Sequence, residues 1–125
     1  MGIDHFKKVN DTFGHNTGDL VLKKMVKTIQ DNIRESDVLI RWGGEEFILL
    51  MEVPNQKILL KRVDQLRGRI ENTHFPEAES VTGSFGITSY RDSEFRRSFA
   101  ESMSKADKAL YQVKNSGRNG VIYAR

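Results

Sequence analysis

Two apolar runs separated by Gly43-Gly44-Glu45-Glu46 constrain this chain more than any other feature. Val38-Leu39-Ile40 on one side and Phe47 to Met51 on the other read as strands. So short a connection reads as a hairpin. Its two adjacent glycines let the backbone turn tightly and leave room for a ligand to come close. Helical stripes flank this hairpin. Leu22, Met25, Val26, Ile29 and Ile33 recur at helical spacing within a helix expected over 19–34, and Leu59, Val63, Leu66 and Ile70 within one expected over 55–72. A short helix over 6–13 follows a strand end at Ile3, and Thr82 to Ser89 reads as a further strand. Phe99, Met103, Ala106, Leu110 and Val113 mark a last helix over 96–115, which Gly117 is placed to end before a short strand at Val121 to Tyr123.

The order strand, helices, two strands, helix, strand, helix, strand is that of an α+β layer, with helices packed on a mainly antiparallel sheet. It resembles the ferredoxin-like βαββαβ arrangement. The first strand of that arrangement is central, and here it is largely missing: three or four residues stand for it, so its neighbours keep unpaired backbone groups. The 125 residues suit one domain over 1–125. With 38% hydrophobic and 30% charged residues the chain is not of disordered composition, and without cysteine it has neither disulfides nor a thiolate zinc site. No apolar run approaches the ~20 residues of a membrane helix, and the first residues lack a signal-peptide core. A cytoplasmic location with no membrane contact is the expectation. The net charge of +3 favours anionic partners such as nucleotides or nucleic acid.

Three segments carry candidate chemistry. Glu45 and Glu46 offer the hard oxygen ligands that hold Mg²⁺ together with substrate phosphates; alternatively they are the solvated edge of a hairpin. In the stretch Ile3 to Asp19, Asn10 offers a donor and acceptors and Asp19 offers acceptors, a pair able to read a purine edge. Taken by themselves, Asp19 reads rather as a helix cap and Asn10 as the end of a turn. Lys114 and Arg118 lie one turn apart at a helix end, where they would clamp a triphosphate or complement the helix dipole.

Taken together, DHFKKVNDTFGHNTGD, RWGGEEF and ADKALYQVKNSGRN stand in one order and spacing from Ile3 to Asn119. They resemble the GGDEF family of diguanylate cyclases in its GGEEF variant, N-terminally truncated, and so imply the core shared with nucleotidyl cyclases and polymerase palm domains. The resemblance implies condensation of two GTP into cyclic-di-GMP with release of pyrophosphate, by a homodimer using Mg²⁺ (or Mn²⁺) and without nucleic acid. By the same resemblance Glu45 and Glu46 are catalytic and metal-binding, with the Ile3 carbonyl as a further metal contact. Asn10 and Asp19 read guanine. The backbone near His5 and Phe6, with Gly43 and Gly44, receives phosphates, and Lys114 and Arg118 clamp them. Arg34 and Asp37, in Arg34-Glu35-Ser36-Asp37, resemble the RxxD product-inhibition site for cyclic-di-GMP. In the family an aspartate precedes the Ile-Asp pair, whereas Gly2 stands here. The family's sensory region is upstream, so the segment is expected to be the cytoplasmic part of a longer sensor protein. Two alternatives follow: a catalytically impaired domain that binds GTP or cyclic-di-GMP without turnover, or another nucleotidyl cyclase or palm relative.

Overall fold

The computed structural model describes residues 1–89 and 95–124. The elements in chain order are β1 (Gly2–Ile3), α1 (Phe6–Phe13), α2 (His15–Asp31), β2 (Val38–Arg41), β3 (Phe47–Leu50), α3 (Gln56–Glu71), β4 (Gly83–Ile87), α4 (Phe95–Asn115) and β5 (Val121–Tyr123). This is the expected α+β order. Both ends of α2 differ: it stops at Asp31, so Ile33 lies beyond it, and it begins at His15 rather than at 19, because Gly14 (φ 91°) breaks the chain after α1 and its carbonyl accepts the Gly18 N–H at 3.1 Å. Asp19 therefore lies inside the helix and caps nothing.

β1 pairs antiparallel with β4, Gly2 opposite Ser84 and Ile3 opposite Gly83, and β4 runs parallel to β5. β2 and β3 form the expected hairpin, from Val38 opposite Leu50 to Arg41 opposite Phe47. The hairpin joins β1 through a bridge between Gly2 and Glu46. Met1 and Phe47 exchange backbone bonds on one side of it (3.0 and 2.9 Å), and the Ile3 N–H donates to the Glu45 carbonyl on the other at 3.1 Å. Short as it is, β1 is thus the central strand, and it sets the turn after β2 beside the end of β4.

The core gathers Ile3, Val21, Met25, Ile29, Phe47, Val63, Leu66, Ile70 and Phe85, so the apolar stripes of α2 and α3 pack against one face of the sheet. Asn55 caps α3 by accepting the Ile58 N–H at 2.9 Å, worth about 1 kcal/mol. Helix α4 covers the opposite side and comes so close to β4 that a β-carbon on Gly86 would meet the Ala106 carbonyl oxygen at 2.2 Å. The connection from α3 to β4 is also anchored, by a fully buried Phe75 and by buried Ala78 and Val81. No helix among the described residues is long and apolar enough to cross a membrane.

Candidate active site

The three motif segments, far apart in sequence, meet at one end of the sheet around Gly2, Ile3 and Asp4. The Ile3 N–H holds the Glu45 carbonyl, and the Gly2–Glu46 bridge holds the next residue, so the carboxylate turn is fastened to β1 by backbone alone. Arg41 reinforces the turn from inside, its guanidinium donating to the carbonyls of Gly43 (3.2 Å) and Gly44 (2.9 Å). From the other side, Lys114 reaches across β1: its Nζ lies 3.3 Å from where a β-carbon on Gly2 would stand. The α-amino group of Met1 is buried beside these charged side chains. Burial pushes it down to about 6, Lys114 adds to the fall, and the carboxylates of Glu46 and Asp107 oppose it.

Asn10 and Asp19 stand on either side of the α1–α2 corner. The Asn10 amide lies against the backbone of Gly18, where a β-carbon would stand 1.8 Å from its Oδ1, so only glycine admits this placement. Asp19 follows directly and faces solvent. Among the described residues, the side chains of Asn10, Asp19, Glu45 and Lys114 have no hydrogen-bond partner within the protein. At the start of α1, His5 is left-handed (φ 55°) and no side chain caps the helix. The first N–H groups of α1 are therefore free to meet an anion. Arg118 lies close to Lys114 but is turned back, donating to the Lys114 carbonyl at 3.3 Å.

The donor set suits Mg²⁺ only in part. No group of three or more His, Asp or Glu capable of holding a metal exists among the described residues. Two carboxylates plus a backbone carbonyl fit an ion that is bound by one or two carboxylates and completes its shell with water and phosphate oxygens.

Arg34 and Asp37 lie away from this end, where α2 gives way to β2. Asp37 is wholly buried. Its Oδ2 accepts from the Arg62 guanidinium at 2.7 Å and from the Arg34 N–H at 2.8 Å, and the Arg34 guanidinium stands 3.6 Å from Oδ1. Burial alone would raise the Asp37 carboxyl. The bond from Arg62, the Arg34 N–H and the two guanidinium charges outweigh it and hold the carboxyl below its ordinary range. Arg34 is half exposed and also donates to the Glu52 carbonyl. Oδ1 of Asp37 and one amino group of Arg62 have no hydrogen bond.

Two participants escaped the sequence reading. Arg62 flanks the apolar stripe of α3, so helical periodicity could have placed it beside the core but not beside Asp37. Asp4 reads locally as a polar strand end, yet it is buried and accepts hydrogen bonds from Thr82, Ser84 and Asn119.

Comparison with known proteins places these features in a family. Residues 1–120 match the model described as "Diguanylate cyclase, GGDEF domain". The chain is 35% identical over 125 residues to diguanylate cyclase DosC of Escherichia coli K12, covering 97% of this chain and 26% of that protein. Among solved structures, the active GGEEF domain of a diguanylate cyclase from Vibrio cholerae superposes with a TM-score of 0.87 at 34% identity, covering 99% of this chain and 79% of that one. The GGDEF domain of DgcB from Caulobacter crescentus, in complex with c-di-GMP, gives 0.86 at 31% identity, covering 99% and 72%.

Proposed function

Because this chain belongs to the GGDEF family of diguanylate cyclase domains, we propose that it binds GTP and, facing a second copy, joins two GTP molecules into cyclic-di-GMP. The observation that carries this reading is the convergence on β1 of the carboxylate turn and the end of α4, with α1 following β1 directly in the chain. In each half-reaction a ribose 3′-oxygen forms a bond to the α-phosphorus of the facing nucleotide. The bond from that phosphorus to its bridging oxygen breaks, and pyrophosphate leaves. One domain holds one nucleotide, so a twofold pair of domains completes the site.

Asn10 and Asp19 read the guanine edge. The N–H groups at the start of α1, next to His5 and Phe6, receive phosphate oxygens, and Gly43 and Gly44 let the nucleotide approach the turn. Lys114 and Arg118 clamp the triphosphate once Arg118 leaves the helix end. Glu45, Glu46 and the Ile3 carbonyl would hold Mg²⁺ or Mn²⁺, which lowers the pKa of the attacking hydroxyl and offsets phosphoryl charge when bound. In this reading Glu46 accepts the proton. Away from this site, Arg34 and Asp37 form the product-inhibition site, with Arg34 as the accessible guanidinium that recognises cyclic-di-GMP.

Gly2 favours a second reading. It stands where the family has an aspartate, and the ammonium of Lys114 lies over it. A domain with one carboxylate fewer would bind GTP without turning it over. The two readings separate in one assay, in which the purified chain is incubated with GTP and Mg²⁺ or Mn²⁺ and the mixture is chromatographed for cyclic-di-GMP. Product supports the cyclase. GTP binding by calorimetry without product supports the binding module, and absence of both overturns the nucleotide site altogether.

A further inference from the structure

We propose that Asp4 and Asn119 are positioning residues that hold the cationic turn after α4 against the carboxylate turn, and thereby set affinity for the triphosphate rather than for the base. This rests on the reading of Lys114 and Arg118 as a phosphate clamp.

Asp4 is 3% exposed, and three neutral donors converge on its carboxylate. Oδ1 accepts the Ser84 hydroxyl at 2.6 Å, and Oδ2 accepts the Thr82 hydroxyl at 2.7 Å and the Asn119 N–H at 3.0 Å. The Asp4 N–H in turn donates to the Thr82 carbonyl at 2.9 Å. One residue earlier, Ile3 holds the Glu45 carbonyl. Asp4 is thus one peptide unit from the anchor of the carboxylate turn and in direct contact with the turn that carries Arg118.

That second turn needs holding. Gly117, Arg118 and Asn119 are all left-handed, with φ of 104°, 62° and 45°. Successive non-glycine residues in this region persist only where their surroundings fix them. The fixing groups lie on either side of Asn119. Its N–H is taken by Asp4, and its Oδ1 accepts from the Arg67 guanidinium of α3 at 3.0 Å. Arg67 is itself steadied by Asp64 and Glu71, each at 2.8 Å. The hydroxyls of Thr82 and Ser84 can rotate to suit an amide in place of the carboxylate. The Asn119 N–H cannot, so in Asp4→Asn the amide oxygen must face Asn119 and the NH2 must face Ser84, and the turn is held by a neutral acceptor in place of a charged one.

The experiment compares calorimetric affinities for GTP and GMP, with Mg²⁺ present, in the unaltered chain, Asp4→Asn and Asn119→Gly. Glycine at 119 keeps the left-handed turn and the N–H but loses the Arg67 contact. We expect Asp4→Asn to weaken GTP binding roughly ten-fold and Asn119→Gly to weaken it less, with GMP affinity held within about two-fold in both. A thermal melt reports whether each variant is folded. If Asp4→Asn does not fold, Asn119→Gly decides. Equal losses for GTP and GMP, or no loss in a folded variant, overturn the proposal alone. If the unaltered chain binds GTP no better than GMP, the phosphate clamp falls and the proposal with it.

Discussion

The ammonium of Lys114 lies over Gly2, 3.3 Å from where a β-carbon at position 2 would stand. A carboxylate introduced there would meet that ammonium and stand on the strand that carries the Ile3 carbonyl. Gly2→Asp should therefore tighten metal-dependent GTP binding on the order of ten-fold, since Mg²⁺ sites with few protein ligands depend on each of them. Titrating Mg²⁺ or Mn²⁺ into the GTP-bound proteins measures this. An unchanged metal dependence would show that position 2 does not contribute a ligand.

Gly18 and Asn10 give a test that separates specificity from stability. Gly18→Ala adds a good helix former within α2, worth up to about 1 kcal/mol, but displaces the Asn10 amide. The melting temperature should hold or rise while the preference for GTP over ATP falls. Asp19→Ala should erode the same preference by about 1–3 kcal/mol. Equal affinity for the two nucleotides in the unaltered chain would sink the base-reading assignment.

Asp37 makes stability depend on acid pH. Its folded carboxyl lies below the ordinary value, so it contributes stability that is complete above roughly pH 4 and is lost as pH falls through the depressed value. Asp37→Asn should cost about 1–3 kcal/mol at neutral pH, leaving the partly buried Arg62 with a weaker acceptor. Denaturant titrations from pH 7 down to pH 2 should show the two proteins converging. A constant gap across that range would mean that the charge of Asp37 is not what stabilises.

Arg34 and Asp37 differ in what their removal should do. Half exposed, Arg34 adds little to stability. Arg34→Ala should abolish cyclic-di-GMP binding by calorimetry with the melting temperature nearly unchanged. Binding that survives the substitution in full would move the inhibitory site elsewhere.

Gly86→Ala tests the seat of α4. The added methyl would overlap the backbone at Ala106 and Leu110, neither of which can rotate away, so α4 must lift. A loss of about 1–3 kcal/mol in unfolding free energy is expected. A variant as stable as the unaltered chain would mean that the helix rides more loosely on β4.

Local pattern alone made much of this molecule legible. The stripes of α2 and α3, the hairpin around Gly43-Gly44 and the stop at Gly117 are periodicities and turn signals within a few residues, where chain geometry couples neighbours directly. The three motifs likewise marked the family, because the residues that carry the resemblance stand in contiguous runs. What only the tertiary structure decided is which of them meet, and through what. Helix α2 starts at His15 because of the backbone angle at Gly14, which composition does not reveal. Asp4 with Asn119, Arg62 with Asp37 and the burial of Phe75 join positions whose separation leaves no period to read. Their pairing follows from the strand order: β1 stands between β3 and β4, and the turn after α4 folds back onto it. A buried carboxylate such as Asp4 looks in sequence like any polar residue at a strand end. Only the donors that the sheet brings to it make it a fixed point of the site.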